Sequence, residues 1–461
     1  MSGTPSVRPT PVPLTGADCF LRAFDGETRR VNGSSHLSQL VLRLGPGFDP
    51  EKLRRVLHEF VRANPITRSP IKRPFGIGPP VYRVDQADRS RLPPVNVHEG
   101  KLPPGVPTLT DVVPLPAVFR ERLNATFSAV RGELLQVDVV QYEGGSLGTD
   151  VAFTWLHLLF DGSGSENFVR LLDACARGAK GPQDLPAGEW ETTQVAGTAG
   201  ERGAKARAWQ AHVESFAANV PHSLTGPSRR ARQALTAPVY TLDIDASSRV
   251  VERAKERAGF LTPMLFYLAA SVRAHLAVFE RRGTDPGSFV VPLPVNLRPK
   301  GAEGAVFRTR VSMMWFQVLP EAARDLDTLV DELKRQRRDM IKGGAIENGV
   351  AAMDWARYAP SRVYATMARR SFGGELCSFF FAFTGDFLPG LEVFVGAPIL
   401  NGFHVPSVPA SPGSGAIMSL REGRLNVAHV HQEGALDEAE LACFRDQLFA
   451  DLLGEGQGNL S

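Results

Sequence analysis

Cysteine is scarce in this chain of 461 residues: Cys19, Cys175, Cys377 and Cys443 stand far apart, with no C-x-x-C spacing. Neither a disulfide framework nor a zinc site is indicated, and a reducing cytoplasmic setting is expected. Charge of one sign is lacking too. Its 52 basic and 49 acidic residues leave a net charge of only +3, so no global field attracts nucleic acid. No RNP, zinc-finger or helix-turn-helix signature is present either. Long apolar runs are missing. The longest, residues 260–279, contains Arg273 and His275 and opens on Thr262-Pro263, a helix cap followed by proline, so it reads as a buried helix and not a membrane span. Residues 1–15, rich in Pro, Ser and Thr, have no apolar h-region and read as a flexible leader. No short-period repeat and no G-x-S-x-G nucleophile elbow occurs.

What is present is the balance of an ordinary globular protein, 43% hydrophobic and 22% charged, with length for two or three domains. Arg229-Arg230-Ala231-Arg232 and Arg335-Gln336-Arg337-Arg338 read as solvated faces or as contacts for an acidic partner or a phosphate. Strand patterns fall at 34–44, 134–141 and 151–157, and at 239–244, 289–294, 311–319, 378–383, 416–420 and 425–431. Helical patterns follow Asp49-Pro50, where Leu53, Val56, Leu57, Phe60 and Val61 form one stripe, and cover 165–176, 206–218, 247–258, 326–342 and 437–453. Ile66-Thr67-Arg68 reads as extended chain after the stop at Asn64-Pro65, and 70–104 as edge strands and loops. Between 177 and 205 apolar periodicity collapses into Gly, Pro, Thr, Glu and Ala, which places a domain boundary there.

Trp155-Leu156-His157-Leu158-Leu159-Phe160-Asp161-Gly162 leaves the strand pattern and enters a Gly/Ser turn before a helix. Val151, Phe153, Trp155 and His157 share one strand face, so the imidazole sits where a strand ends and a cleft can open. The two readings of this corner are an active site and a turn histidine followed by a helix-capping aspartate. Histidine is the side chain tuned to take a proton near neutral pH, and His157 is the candidate base. Gly162 suits a turn needing positive φ or close backbone approach. His429 and His431 share a strand face at i, i+2 but lack a nearby carboxylate pattern, so they read as packed or solvent-facing and not as metal ligands.

The corner resembles the H-H-x-x-x-D-G motif of the chloramphenicol-acetyltransferase-like acyltransferases. That superfamily includes peptide-synthetase condensation domains and wax ester synthase-like, polyketide-associated and plant-type H-x-x-x-D acyltransferases. Other segments are similar in the same order. Leu14-Thr15-Gly16-Ala17-Asp18-Cys19-Phe20-Leu21 matches the opening, and Asn64-Pro65-Ile66-Thr67-Arg68 the "hPxLR" segment. Pro294-Val295-Asn296-Leu297-Arg298-Pro299 matches "PVxLRP", and Gly396-Ala397-Pro398-Ile399 with Val405-Pro406 the C-terminal half. Two departures stand out: Leu156 replaces the first motif histidine, and Phe383-Thr384-Gly385-Asp386-Phe387 lacks the usual Ser-Asn.

The resemblance implies an α/β (α+β layered) fold of two chloramphenicol-acetyltransferase-like subdomains in a V-shaped pseudo-dimer with a tunnel between them. Residues 1–177 would form the first, 178–205 the crossing linker and 206–461 the second. It implies an acyltransferase of the H-x-x-x-D type, transferring groups other than aminoacyl, with His157 as general base and no acyl-enzyme. Asp161 would be structural, paired with Arg298 or, in competition, Arg68. Asn296 or Thr384 would donate to the oxyanion or contact the acceptor. The co-substrate expected is acyl-CoA or a phosphopantetheinyl carrier protein, with a small hydroxyl or amine acceptor, no bound cofactor, no metal, and a monomer. Two alternatives follow from the same resemblance: a free-standing condensation domain joining carrier-bound substrates in natural-product biosynthesis, and a catalytically silent, partner-recruiting relative.

Overall fold

The computed structural model describes residues 11–76, 78–109, 114–191, 195–225, 233–299 and 304–454. The Arg229–Arg232 basic cluster and the first ten residues of the leader lie outside the described residues. Of the other basic cluster, Arg335 pairs with Glu332 and Asp339 on its own helix, and Gln336 donates to the Gln317 carbonyl.

Two sheets organise the chain. The first has six strands in the order Val393–Phe394, Ala397–Pro406, Leu37–Leu44, Thr149–Leu156, Leu135–Tyr142, Val95–Gly100; only the last pair is parallel. Leu37–Leu44 and Thr149–Leu156 are buried along their whole length, as central strands covered on both faces must be. The second sheet runs Phe380–Asp386, Ser414–Arg421, Arg424–Gln432, Leu235–Thr236, with Val239–Thr241 also on Arg424–Gln432. Phe289–Asn296 and Val311–Val318 form an antiparallel pair joined to it through Ser378, whose N–H meets the Val290 carbonyl at 2.8 Å.

Helices start where the side chains favour it. Asp49 caps Pro50–Ala63 through two backbone N–H groups, with proline in the first turn, and Leu53, Leu57, Phe60 and Val61 face the core. The long helix Met264–Arg282 fills the second core beneath Glu438–Leu453 and Ile244–Ala258. Ile66-Thr67-Arg68, expected as extended chain, lies in a 3-10 turn, Pro65–Arg68, closed by the Thr67 N–H on the Asn64 carbonyl at 3.1 Å.

The chain crosses between halves more than once. Strand Ala397–Pro406 belongs by sequence to the 206–461 segment, yet it pairs with Leu37–Leu44 in the first sheet. The approach to it is latched onto the helix Gly162–Ala176: Glu166 accepts the Leu388 N–H at 2.9 Å and Asp173 the Val395 N–H at 3.0 Å. Within the 178–205 stretch, Glu189 is buried and Ala199–Ser215 begins as a helix behind a Thr198–Glu201 capping box.

Candidate active site

Strand Thr149–Leu156 ends one residue before His157, and the helix Gly162–Ala176 begins one residue after Asp161. An aromatic cluster fixes the turn between them. The Phe160 ring stacks on Phe168 at 5.0 Å and on Phe307 at 5.8 Å, with Trp155 edge-on at 5.7 Å. Such pairs each contribute about 0.5–1.5 kcal/mol beyond their burial. The Phe160 carbonyl accepts the Trp155 indole N–H at 3.0 Å and lies 3.3 Å from His157 Nδ1. A carbonyl only accepts, so Nδ1 carries the proton and Nε2 keeps its lone pair.

His157 lines a cavity of ≈ 340 Å³ whose walls come from both halves: Phe20, Phe24 and His36 on one side, Pro292, Asn296 and Phe383 on the other. Trp155 and His157 line it while Leu156 does not, as strand alternation requires. Leu156 is fully buried and opposite Leu37 in the sheet. Burial lowers the His157 pKa, only partly offset by the Phe160 carbonyl and the charge of Asp161. The ring is therefore neutral at pH 7.

Asp161 performs two structural roles at once. Its Oδ1 accepts the Gly164 N–H at 2.8 Å and caps the helix; its Oδ2 accepts Arg298 Nη1–H at 2.7 Å and the Arg310 N–H at 2.8 Å. Burial pushes its carboxyl up, but the charge of Arg298 and these three donors outweigh that and hold it below the usual range. Among the described residues it makes no hydrogen bond to the imidazole. Arg298 itself is held by the Ala305 carbonyl at 3.0 Å, whereas Arg68 donates to the Asp88 and Val61 carbonyls and does not meet Asp161.

Gly162 departs from expectation: its φ is not positive, and a Cβ there would lie 3.7 Å from the His404 ring, an ordinary contact. The crowded glycine is Gly164, where a Cβ would come within 2.4 Å of the Val306 carbonyl oxygen and 3.0 Å of Arg298 Nη2. Asn296 and Thr384 both line the cavity. Asn296 Nδ2 donates to Ser163 Oγ at 3.0 Å, and Thr384 stands at the exposed side, near Gly162.

Two further imidazoles line this cavity. His36 stacks on His157 with ring centroids 5.2 Å apart, and its Nδ1 lies 3.0 Å from Ser407 Oγ. His404 Nε2 lies 3.1 Å from Ser165 Oγ, whose single proton goes to the Gly162 carbonyl at 2.7 Å, so Nε2 is the donor. Burial drives His404 down to about 4 and His36 well below its ordinary value, with His157 adding to both. No short spacing announces either residue: sheet register brings them together, His36 through its carbonyl on the His157 N–H at 3.0 Å, His404 through pairing with Leu40. Burial also raises the Cys19 thiol to about 12 and the Cys377 thiol well above its ordinary value, and neither lines the cavity. Among the described residues no group of three or more His, Cys, Asp or Glu could hold a metal ion, and no helix is long and apolar enough to cross a membrane.

No family model and no curated protein matches the chain. Solved structures do. The chain is similar to the trichothecene 15-O-acetyltransferase from Fusarium sporotrichioides, at 14% identity, 96% of this chain, 94% of that one and a TM-score of 0.66. The first condensation domain of the CDA synthetase gives 16% identity, 97% and 96% coverage, and 0.65. The epimerization domain from the third module of tyrocidine synthetase B gives 15%, 98% of both chains, and 0.59. One architecture thus carries acetyl transfer, condensation and epimerization in these proteins, so the reaction has to be argued from the site. The chain has the α/β, two-subdomain, chloramphenicol-acetyltransferase-like fold shared by condensation domains and this acetyltransferase.

Proposed function

We propose that the chain is an acyltransferase that moves an acyl group from a thioester to a hydroxyl or amine. The observation that carries the reading is the His157 ring, with Nδ1–H tied to the Phe160 carbonyl and the Nε2 lone pair left over in a cavity walled by both halves. A neutral, buried imidazole in that state is a general base. Nε2 takes the proton of the acceptor as its oxygen or nitrogen attacks the thioester carbonyl. The tetrahedral intermediate then collapses, the C–S bond breaks, and the imidazolium returns the proton to the leaving thiolate. Asn296 and Thr384 are the side-chain donors proposed for the oxyanion or the acceptor. Asp161 and Arg298 hold the corner and do not touch substrate.

The donor proposed is acyl-CoA or a phosphopantetheinyl carrier protein, with no resident cofactor and direct transfer between two bound substrates. Loss of the first motif histidine supports no silent reading, because position 156 faces the core and not the cavity. The test is thiol release from a panel of acyl thioesters, with and without alcohols and amines, followed by mass spectrometry of the protein. Acceptor-dependent release with no acylated protein supports the proposal. A stoichiometric acyl adduct in the absence of acceptor would replace it with a ping-pong mechanism. Turnover with carrier-bound thioesters alone would select the condensation variant.

A further inference from the structure

A second cavity, larger than the one that holds His157, lies beside it among the described residues. It measures ≈ 760 Å³ and lies between Ala199–Ser215, Ala345–Ala356, Ser361–Arg370 and the strand Val311–Val318. Its lining sorts by depth. Val213, Trp315, Met353, Phe372 and Leu376 are buried, whereas the polar side chains Arg207, Gln210, Glu214 and Arg370 are exposed at the rim. Trp315 stacks on Phe372 at 5.5 Å and so forms a flat apolar wall.

This cavity shares three side chains with the catalytic one: Phe20, Met313 and Met353 line both. Phe20 stands between them, 4.2 Å by ring centroid from Phe24 of the catalytic cavity and 5.9 Å from Tyr364 of the larger one. Two of the three partition residues are methionines, whose unbranched, rotatable side chains adapt to what lies against them. The outer rim carries large apolar groups in solvent: Trp355 is 54% exposed and Met367 59%, both lining the cavity. Tyr358 and Val363, on the same stretch of chain, are 53% and 48% exposed.

We propose that this second cavity is a chain-binding chamber: it takes an extended apolar tail carried by one of the two substrates while the reacting group lies at His157. The inference rests on the acyl-transfer reading. At ≈ 340 Å³ the catalytic cavity suits the reacting groups, and the methionine partition opens onto an apolar space more than twice that volume. The tail belongs to the thioester or to the acceptor, and the chemistry that binds it is the same.

Binding is measured without turnover. Intrinsic tryptophan fluorescence reports it, because Trp209, Trp315 and Trp355, three of the five tryptophans, line the chamber. The full-length protein is titrated with saturated acyl thioesters of N-acetylcysteamine from two to twelve carbons, and in a second arm with n-alkyl alcohols. The expected result is a Kd that falls with chain length by up to about fourfold per buried methylene in at least one arm. Ala352→Phe and Ala368→Phe, placed on two different lining helices, should flatten that dependence while binding of the shortest members stays unchanged. A Kd indifferent to chain length in both arms overturns the chamber, as does an unaltered dependence in both variants when circular dichroism shows them folded. Chain-dependent binding with no transfer to any acceptor would refute the transferase reading instead. Transfer with no chain dependence would refute the chamber alone.

Discussion

Asp161 shows how much of the corner hangs on single atoms, since its two oxygens hold a helix start, an arginine and a loop N–H together. Removing one member of such a buried pair leaves the other uncompensated, at about 3–5 kcal/mol. Asp161→Asn and Arg298→Ala should therefore each lower the melting temperature sharply, while Arg68→Ala leaves the corner intact. The sign with pH is set by the depressed carboxyl: its contribution is present above the unfolded value near 3.9 and is lost as pH falls through the folded one. Denaturant titrations at pH 7 and pH 3 check both; equal loss at the two pH values would contradict the pairing. The two glycines of the corner, Gly162 and Gly164, make a second test. Gly164→Ala has to displace the Val306 backbone and should destabilise by several kcal/mol, whereas Gly162→Ala should fold normally. Equal melting temperatures for the two variants would reject this geometry.

At the scale of elements, what could be read in the chain was what carries its own signal. The helix Pro50–Ala63 has a cap, a first-turn proline and one apolar stripe, the strand near 149–156 is rich in β-branched and aromatic residues, and the strand near 37–44 carries a short apolar run about Val41. Ala397–Pro406 gave no such signal, because Pro398, Asn401 and Gly402 break its pattern and its partner lies over 350 residues away. His157, Asp161 and Arg298 were legible through spacing and resemblance; His36 and His404 were not, because only register places them. Arg424–Gln432 holds His429 with both ring nitrogens buried and, among the described residues, without a hydrogen-bond partner, its ring stacked on Phe444 at 3.9 Å. Burial, with His431 and His275 adding to it, drives its pKa well below the ordinary value. The unfolded chain then binds more protons below pH 6.5, so wild type loses stability as pH falls from there. His429→Phe should remove the share of that loss that His429 contributes, and its melting temperature relative to wild type should rise from pH 7 to pH 5. A difference that stays constant across this range would show that the imidazole is not held neutral by its surroundings.

For the whole molecule, the sheet that presents His157 is completed by residues 393–406, so neither side of the 178–205 stretch owns its structure. Residues 1–205 expressed alone lack two strands, one of them a partner of Leu37–Leu44, and should show no cooperative melt; a fragment melting cooperatively near the full-length temperature would contradict the shared sheet. The cavity exists for the same reason, and the proposed reaction requires both halves to bring substrates to one nitrogen of His157. That claim is tested most directly by single-turnover transfer from a thioester to an acceptor in wild type and His157→Ala, with thermal melts alongside. The account predicts a rate lower by about 10²- to 10⁴-fold in a protein that melts as wild type does. An undiminished rate in the folded variant would contradict it.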